Sequence, residues 1–104
     1  MKKIVVLLLT LWLVVEVSGQ IIETPDGIYY DSSGKKYTGV YTERYTDGKK
    51  KNVVEIKDGL KDGITLMYYE NGNLKEVRSY RAGKMHGTWI QYSVEGIKTG
   101  EANY

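Results

Sequence analysis

The sequence predicts an all-β chain, a single-layer antiparallel meander of repeated β-hairpins, and three observations predict it. Glycines return every 24 residues: Gly39, Gly63 and Gly87 keep one register, Gly48, Gly72 and Gly96 a second, Gly59 and Gly83 a third, while the large apolar residues Ile56, Tyr80 and Tyr104 hold a fourth. A single period shared by turn residues and large side chains is the mark of an internal repeat. The stretches between the glycines are rich in β-branched and aromatic residues, and none has a helical period long enough to compete. Ten tyrosines and two tryptophans stand beside no phenylalanine. A tyrosine has an apolar body and a wet hydroxyl, which suits a thin structure whose rings lie close to water.

At 104 residues the chain has room for one small domain. Its formal charge is +2; without the first nineteen residues 13 basic and 12 acidic side chains remain, which gives no nucleic-acid footprint. There is no cysteine, so disulfides, a lipoprotein anchor, a thiolate zinc site and a cysteine nucleophile are excluded.

Residues 1–19 read as a signal peptide: Lys2 and Lys3 form a positive start, an apolar run of twelve follows, and Val17, Ser18 and Gly19 make a small-residue exit. An uncleaved anchor is the competing reading, but the run falls short of the roughly 20 residues a bilayer requires, and Glu16 ends it. The expectation is therefore an exported, periplasmic or extracellular protein. Residues 20–38 form a lead-in with the first hairpin, in which Pro25, Asp26 and Gly27, then Ser32, Ser33 and Gly34, supply turn chemistry around Ile28, Tyr29 and Tyr30.

Residues 39–104 form the repeat domain, divided 39–62, 63–86 and 87–104. Strands are expected over 37–45, 53–57 and 74–81. Asp47 with Gly48 and Asn71 with Gly72 are pairs that two-residue hairpin turns favour, with positive φ at the glycine, and Glu95 with Gly96 occupies the equivalent place. Residues 58–63 and 82–87 are then longer links between units. Alternation sorts Tyr41, Thr65 and Trp89 to one face and Ile64, Leu66, Tyr68, Ile90 and Tyr92 to the other. Both faces are partly apolar, and no helix is available to cover either.

The segments Tyr68, Tyr69, Glu70, Asn71, Gly72 and Tyr80, Arg81, Ala82, Gly83, Lys84, Met85, His86, Gly87, Thr88, Trp89 resemble the MORN family, in particular its bacterial variant repeats. Gly59, Leu60, Lys61, Asp62, Gly63 echo the second of these one period earlier, and Lys36 to Tyr41 resemble the usual start of such arrays. The resemblance covers residues 39–104; the first unit departs from it, with Arg44 where the first tyrosine of the pair belongs and lysines crowding the turn. It implies a twisted sheet of hairpins used to contact proteins, with membrane lipids as a further ligand. Some bacterial members carry antitoxin-like labels, and none of this transfers a catalytic residue.

The repeat-defining glycines Gly48, Gly59, Gly63, Gly72, Gly83, Gly87 and Gly96 are read as turn formers rather than ligand contacts. Tyr41, Met67, Tyr69 and Trp89 are the candidate partner surface; the alternative is cross-strand packing that stabilises the sheet by about 0.2–1 kcal/mol per pair. His86 reads as an exposed turn residue. Asp58 and Asp62 flank Gly59 without the ligand run of a calcium loop. Lys49, Lys50 and Lys51 read as solvated charge that discourages aggregation. No hydrolase elbow, zinc helix, P-loop or dinucleotide fingerprint is present, so no catalytic, cofactor or metal site is expected. The function expected is a non-catalytic protein-binding or scaffold module of the envelope, acting through a protein partner or self-association; a carbohydrate or cell-wall binding module is the alternative. The mature chain is expected to begin at Gln20. Mass spectrometry of the native protein checks this, and an intact Met1 terminus on a membrane-embedded product contradicts it.

Overall fold

The structure is a computed structural model that describes residues 21–104; the expected signal peptide and its cleavage point lie outside the described residues. Two short strands, β1 (Ile22–Glu23) and β2 (Tyr29–Tyr30), pair with each other. Seven more follow: β3 (Gly39–Arg44), β4 (Lys50–Lys57), β5 (Leu60–Tyr68), β6 (Leu74–Arg81), β7 (Lys84–Met85), β8 (Thr88–Tyr92) and β9 (Lys98–Asn103). These make one antiparallel sheet in the order β3-β4-β5-β6-β8-β9, with β7 paired to β6. There is no helix among the described residues, so the all-β antiparallel meander read from the sequence is the fold.

The turns differ from expectation in a regular way. Gly48, Gly72 and Gly96 have φ of +91°, +94° and +96°, as their place after Asp, Asn and Glu suggested, but the loops around them hold three residues rather than two. The Gly72 N–H donates to the Tyr69 carbonyl and the Tyr69 N–H to the Asn73 carbonyl, and the same pair of bonds forms at Tyr45, Gly48 and Lys49 and at Ser93, Gly96 and Ile97. This is a type I turn followed by one left-handed residue. Asn71 therefore keeps negative φ, and its Oδ1 instead accepts the Asn73 N–H at 2.9 Å, as Asp47 accepts that of Lys49.

The tight two-residue turns fall where longer links were expected. Lys57 pairs with Leu60 and Arg81 with Lys84, across Asp58-Gly59 (φ +50°, +84°) and Ala82-Gly83 (φ +49°, +85°). Positive φ at both central residues is the type I′ geometry, whose twist matches that of the strands it joins. Neither turn stands free: the Asp58 N–H donates to Thr38 Oγ1 and the Ala82 N–H to Asp62 Oδ1. Sequence reading missed them because Asp-Gly and Ala-Gly were assigned to links once Asn-Gly had been given the hairpin.

The sheet is also not a single layer throughout. The Tyr29 N–H donates to the Gly59 carbonyl, the Tyr37 N–H to that of Tyr29 and the Gly59 N–H to that of Tyr37, which ties the lead-in to the β4–β5 turn. Tyr29, 3% exposed, is thereby laid against Tyr41 with ring centroids 5.9 Å apart. Ile21, Tyr29, Val54 and Ile56 form the buried core. The β1–β2 pair thus covers the first part of one face, and among the described residues no strand covers the other face.

A Cβ at Gly48 or Gly72 would meet nothing within 4 Å, so substitution there acts through backbone conformation alone. Gly72→Val and Gly48→Val are each expected to lower unfolding stability by about 1 kcal/mol or more, whereas Ala82→Asn, better suited to positive φ, is expected to raise it. Chemical denaturation checks both directions, and wild-type midpoints for the glycine variants contradict these turn geometries.

Candidate functional site

Cross-strand register decides which side chains share a face, because directly opposed residues point the same way. Tyr41 lies opposite Val54, Val54 opposite Thr65, and Thr65 opposite Arg78. Beside this row runs Glu43, Asn52, Met67, Glu76 and Gln91. Trp89, two residues before Gln91, falls on the same face, with the Arg78 guanidinium 4.7 Å from its ring centre. Tyr69 stands just past the irregularity at Met67 and Tyr68, at the hairpin end, where its hydroxyl donates to the Tyr92 carbonyl at 2.8 Å.

The four candidate residues share a side of the sheet but do not form one patch. Tyr41 and Met67 border a cleft of about 210 Å³ beneath the lead-in. Tyr69 borders a separate hollow of about 230 Å³ with Lys75 and Gln91. Trp89 borders a third of about 290 Å³ with Gly100, Ala102 and Tyr104. Arg78 borders the first and Glu76 the second, so their ion pair, 2.7 Å from Oε1 to Nε with side chains 28% and 14% exposed, stands between those two, while Gln91 borders both the second and the third. Trp89 itself is held between Tyr80 and Tyr104, at centroid distances of 5.7 and 5.2 Å. Much of its surface is thus taken up by packing that the sequence could only offer as the alternative to a partner surface.

The first cleft contains groups that sequence analysis did not single out. Its flap side is Tyr29 with Glu23, which pair across β1 and β2. Burial, reinforced by the Glu23 carboxylate, pushes the Tyr29 phenol well above its ordinary range. Burial also raises Tyr41, with Glu43 and Glu23 adding to it. Both phenols are therefore neutral hydrogen-bonding groups at physiological pH. The hydrogen bond that Arg78 donates to Glu76 raises the pKa of its guanidinium. Glu43 accepts a 2.7 Å hydrogen bond from Asn52 Nδ2. On the floor, Thr65 is 5% exposed and its Oγ1 has no hydrogen-bond partner among the described residues. The one signal available beforehand was the stacking of Thr65 with Tyr41; the contribution of Tyr29 depended on a lead-in whose path no local pattern encodes.

The remaining candidates occupy structural places. His86 is exposed and its N–H donates to the Ser79 carbonyl. Asp62 braces the Ala82 turn, and no group of three or more metal-ligating side chains occurs among the described residues. Lys49, Lys50 and Lys51 are exposed, and Lys51 lies over the Tyr45 ring at 5.7 Å. All seven repeat-defining glycines have positive φ.

No family model, curated protein or solved structure matches the chain.

Thr65→Val removes the unpartnered hydroxyl while keeping shape and strand preference. An unsatisfied buried hydroxyl costs about 1–3 kcal/mol, so this variant is expected to unfold at higher denaturant concentration than the wild type. A lower midpoint contradicts the assignment of Thr65 Oγ1 as unsatisfied.

Proposed function

We propose that this protein is a non-catalytic MORN-variant repeat protein of the cell envelope that binds another protein through the uncovered face of its sheet. The observation that carries the reading is a cross-strand row, Val53, Leu66, Val77 and Ile90, that runs unbroken over four strands. Val40 and Ile64, 53% and 40% exposed, lie on the same side. The row itself is half-buried but meets no second layer among the described strands, and a contiguous, partly exposed apolar surface of this kind marks an interaction site in a soluble protein. The 24-residue recurrence also supports the repeat reading, because contacts recur with it: Tyr45 Oη donates to the Tyr68 carbonyl and Tyr69 Oη to the Tyr92 carbonyl.

This moves the binding surface from the aromatic side to the aliphatic side. Tyr41 is partly covered by Tyr29 and Trp89 is clasped by two tyrosines, whereas the aliphatic row is free. The partner-neutralising role carried by some bacterial members of the resembling family is the form this function takes if the partner is a toxin. Capture from the envelope fraction tests the assignment. Val77→Ser with Ile90→Ser is expected to abolish capture while β-sheet circular dichroism persists. Tyr69→Ala with Trp89→Ala, and replacement of the three lysines, are expected to leave it largely intact, since interface cores dominate binding and rim charges do not. Capture lost only in the aromatic or the lysine variant overturns the surface, and no specific capture by the wild type overturns the function.

A further inference from the structure

The cleft beneath the lead-in lies on the opposite face from the row just described, and its groups are chosen for a ligand of a different kind. Two carboxylates, Glu23 and Glu43, and two cationic side chains, Lys61 and Arg78, border it, so the charges of the lining residues cancel, with Arg78 itself held by Glu76 just outside the lining. A bound cation would be opposed by Lys61 and Arg78, and a bound anion by Glu23 and Glu43. A hydroxyl suits both sets, because it donates to a carboxylate and accepts from an ammonium or guanidinium at once. The Tyr29 and Tyr41 rings, inclined at 54° to each other, add apolar walls topped by neutral phenols. On the floor, Thr65, 5% exposed, has an Oγ1 that no group among the described residues satisfies.

We propose that this cleft binds one neutral, hydroxyl-rich sugar ring. Ring hydroxyls reach the carboxylates and cations around the rim, one hydroxyl pairs with Thr65 Oγ1 after a rotation about its χ1, and the ring's C–H face lies on Tyr41. At about 210 Å³ the cleft is smaller than the roughly 300–1,000 Å³ of sites for drug-sized molecules, which limits it to a single ring. Because the site and the aliphatic row occupy opposite faces, it stands or falls independently of protein capture.

The test is a titration of the purified, ¹⁵N-labelled protein with N-acetylglucosamine, glucose and galactose, followed by amide chemical shifts, with glycine and lysine as charged controls. At least one sugar is expected to give saturable shifts at Tyr41, Asn52 and Thr65, with a dissociation constant of the order of millimolar. A protein-bound glycan and a free monosaccharide are distinguished by repeating the titration with the corresponding oligosaccharide: tighter binding assigns the site to a chain end, equal binding to the free sugar, and both support it. Thr65→Val, which keeps the fold, is expected to weaken binding about tenfold, and Glu43→Gln to weaken it as well. Absence of saturable shifts with every sugar overturns the proposal. So do shifts produced at these residues by glycine or lysine instead, shifts confined to Trp89 and Tyr104, and binding undiminished in both variants.

Discussion

The structure depends on glycines facing large side chains across the sheet. Gly39 pairs with Ile56 and Gly63 with Tyr80, and Gly87 exchanges both backbone hydrogen bonds with Tyr104. Two of the periodic registers in the sequence thus meet as partners. At Gly63 a Cβ would come within 2.3 Å of Glu55 Oε1, an atom that already accepts the Ile64 N–H at 2.6 Å, and φ there is +108°. The positive φ favours glycine here, and the space a side chain would take is held by Glu55 at Gly63, by Tyr37 at Gly39 and by Ser79 at Gly87. Ile56 and Gly63 lie beside the irregularity in register between β4 and β5, which helps to aim the next hairpin.

Given those pairs, neighbouring hairpins are coupled by tyrosines. Each hydroxyl bond from Tyr45 or Tyr69 to the next hairpin contributes about 0.5–1.5 kcal/mol. Lys51 and Lys75 over the same two rings, each at 5.7 Å, add about 0.5–1 kcal/mol apiece at exposed sites. Ser93 stands at the equivalent place in the third hairpin, and its backbone still closes the same loop. With four buried residues in the core, such local contacts are a large share of what holds the sheet.

The lead-in changes the chemistry of one face and not of the other. Docking of Tyr29 encloses Glu23, Glu43 and Thr65 in a mixed polar and aromatic cleft, while the reverse side keeps its aliphatic row from Val53 to Ile90. The asymmetry gives one thin sheet two surfaces of different chemistry, one apolar and one a mixed polar and aromatic cleft.

The sequence by itself determined the strand class, the antiparallel order and the positions of the positive-φ glycines, because periodic glycine and two-residue alternation are local signals that any neighbouring strand must obey. It also showed Tyr41, Thr65 and Trp89 on one face, since alternation counts parity along each strand. Tertiary structure alone decided which turns were tight: Asp58-Gly59 and Ala82-Gly83 adopt that geometry because Thr38 and Asp62, 20 residues earlier in each case, receive their N–H groups. It alone separated Tyr41, Tyr69 and Trp89 into different hollows, with an ion pair on β6 between the first two and rings from β6 and the residue after β9 packed around Trp89 on β8. And it alone brought Tyr29 over Tyr41, since the path of a lead-in with two short strands is set by two backbone hydrogen bonds to a distant turn and one within the lead-in, and backbone donors and acceptors are the same in every residue that could have supplied them.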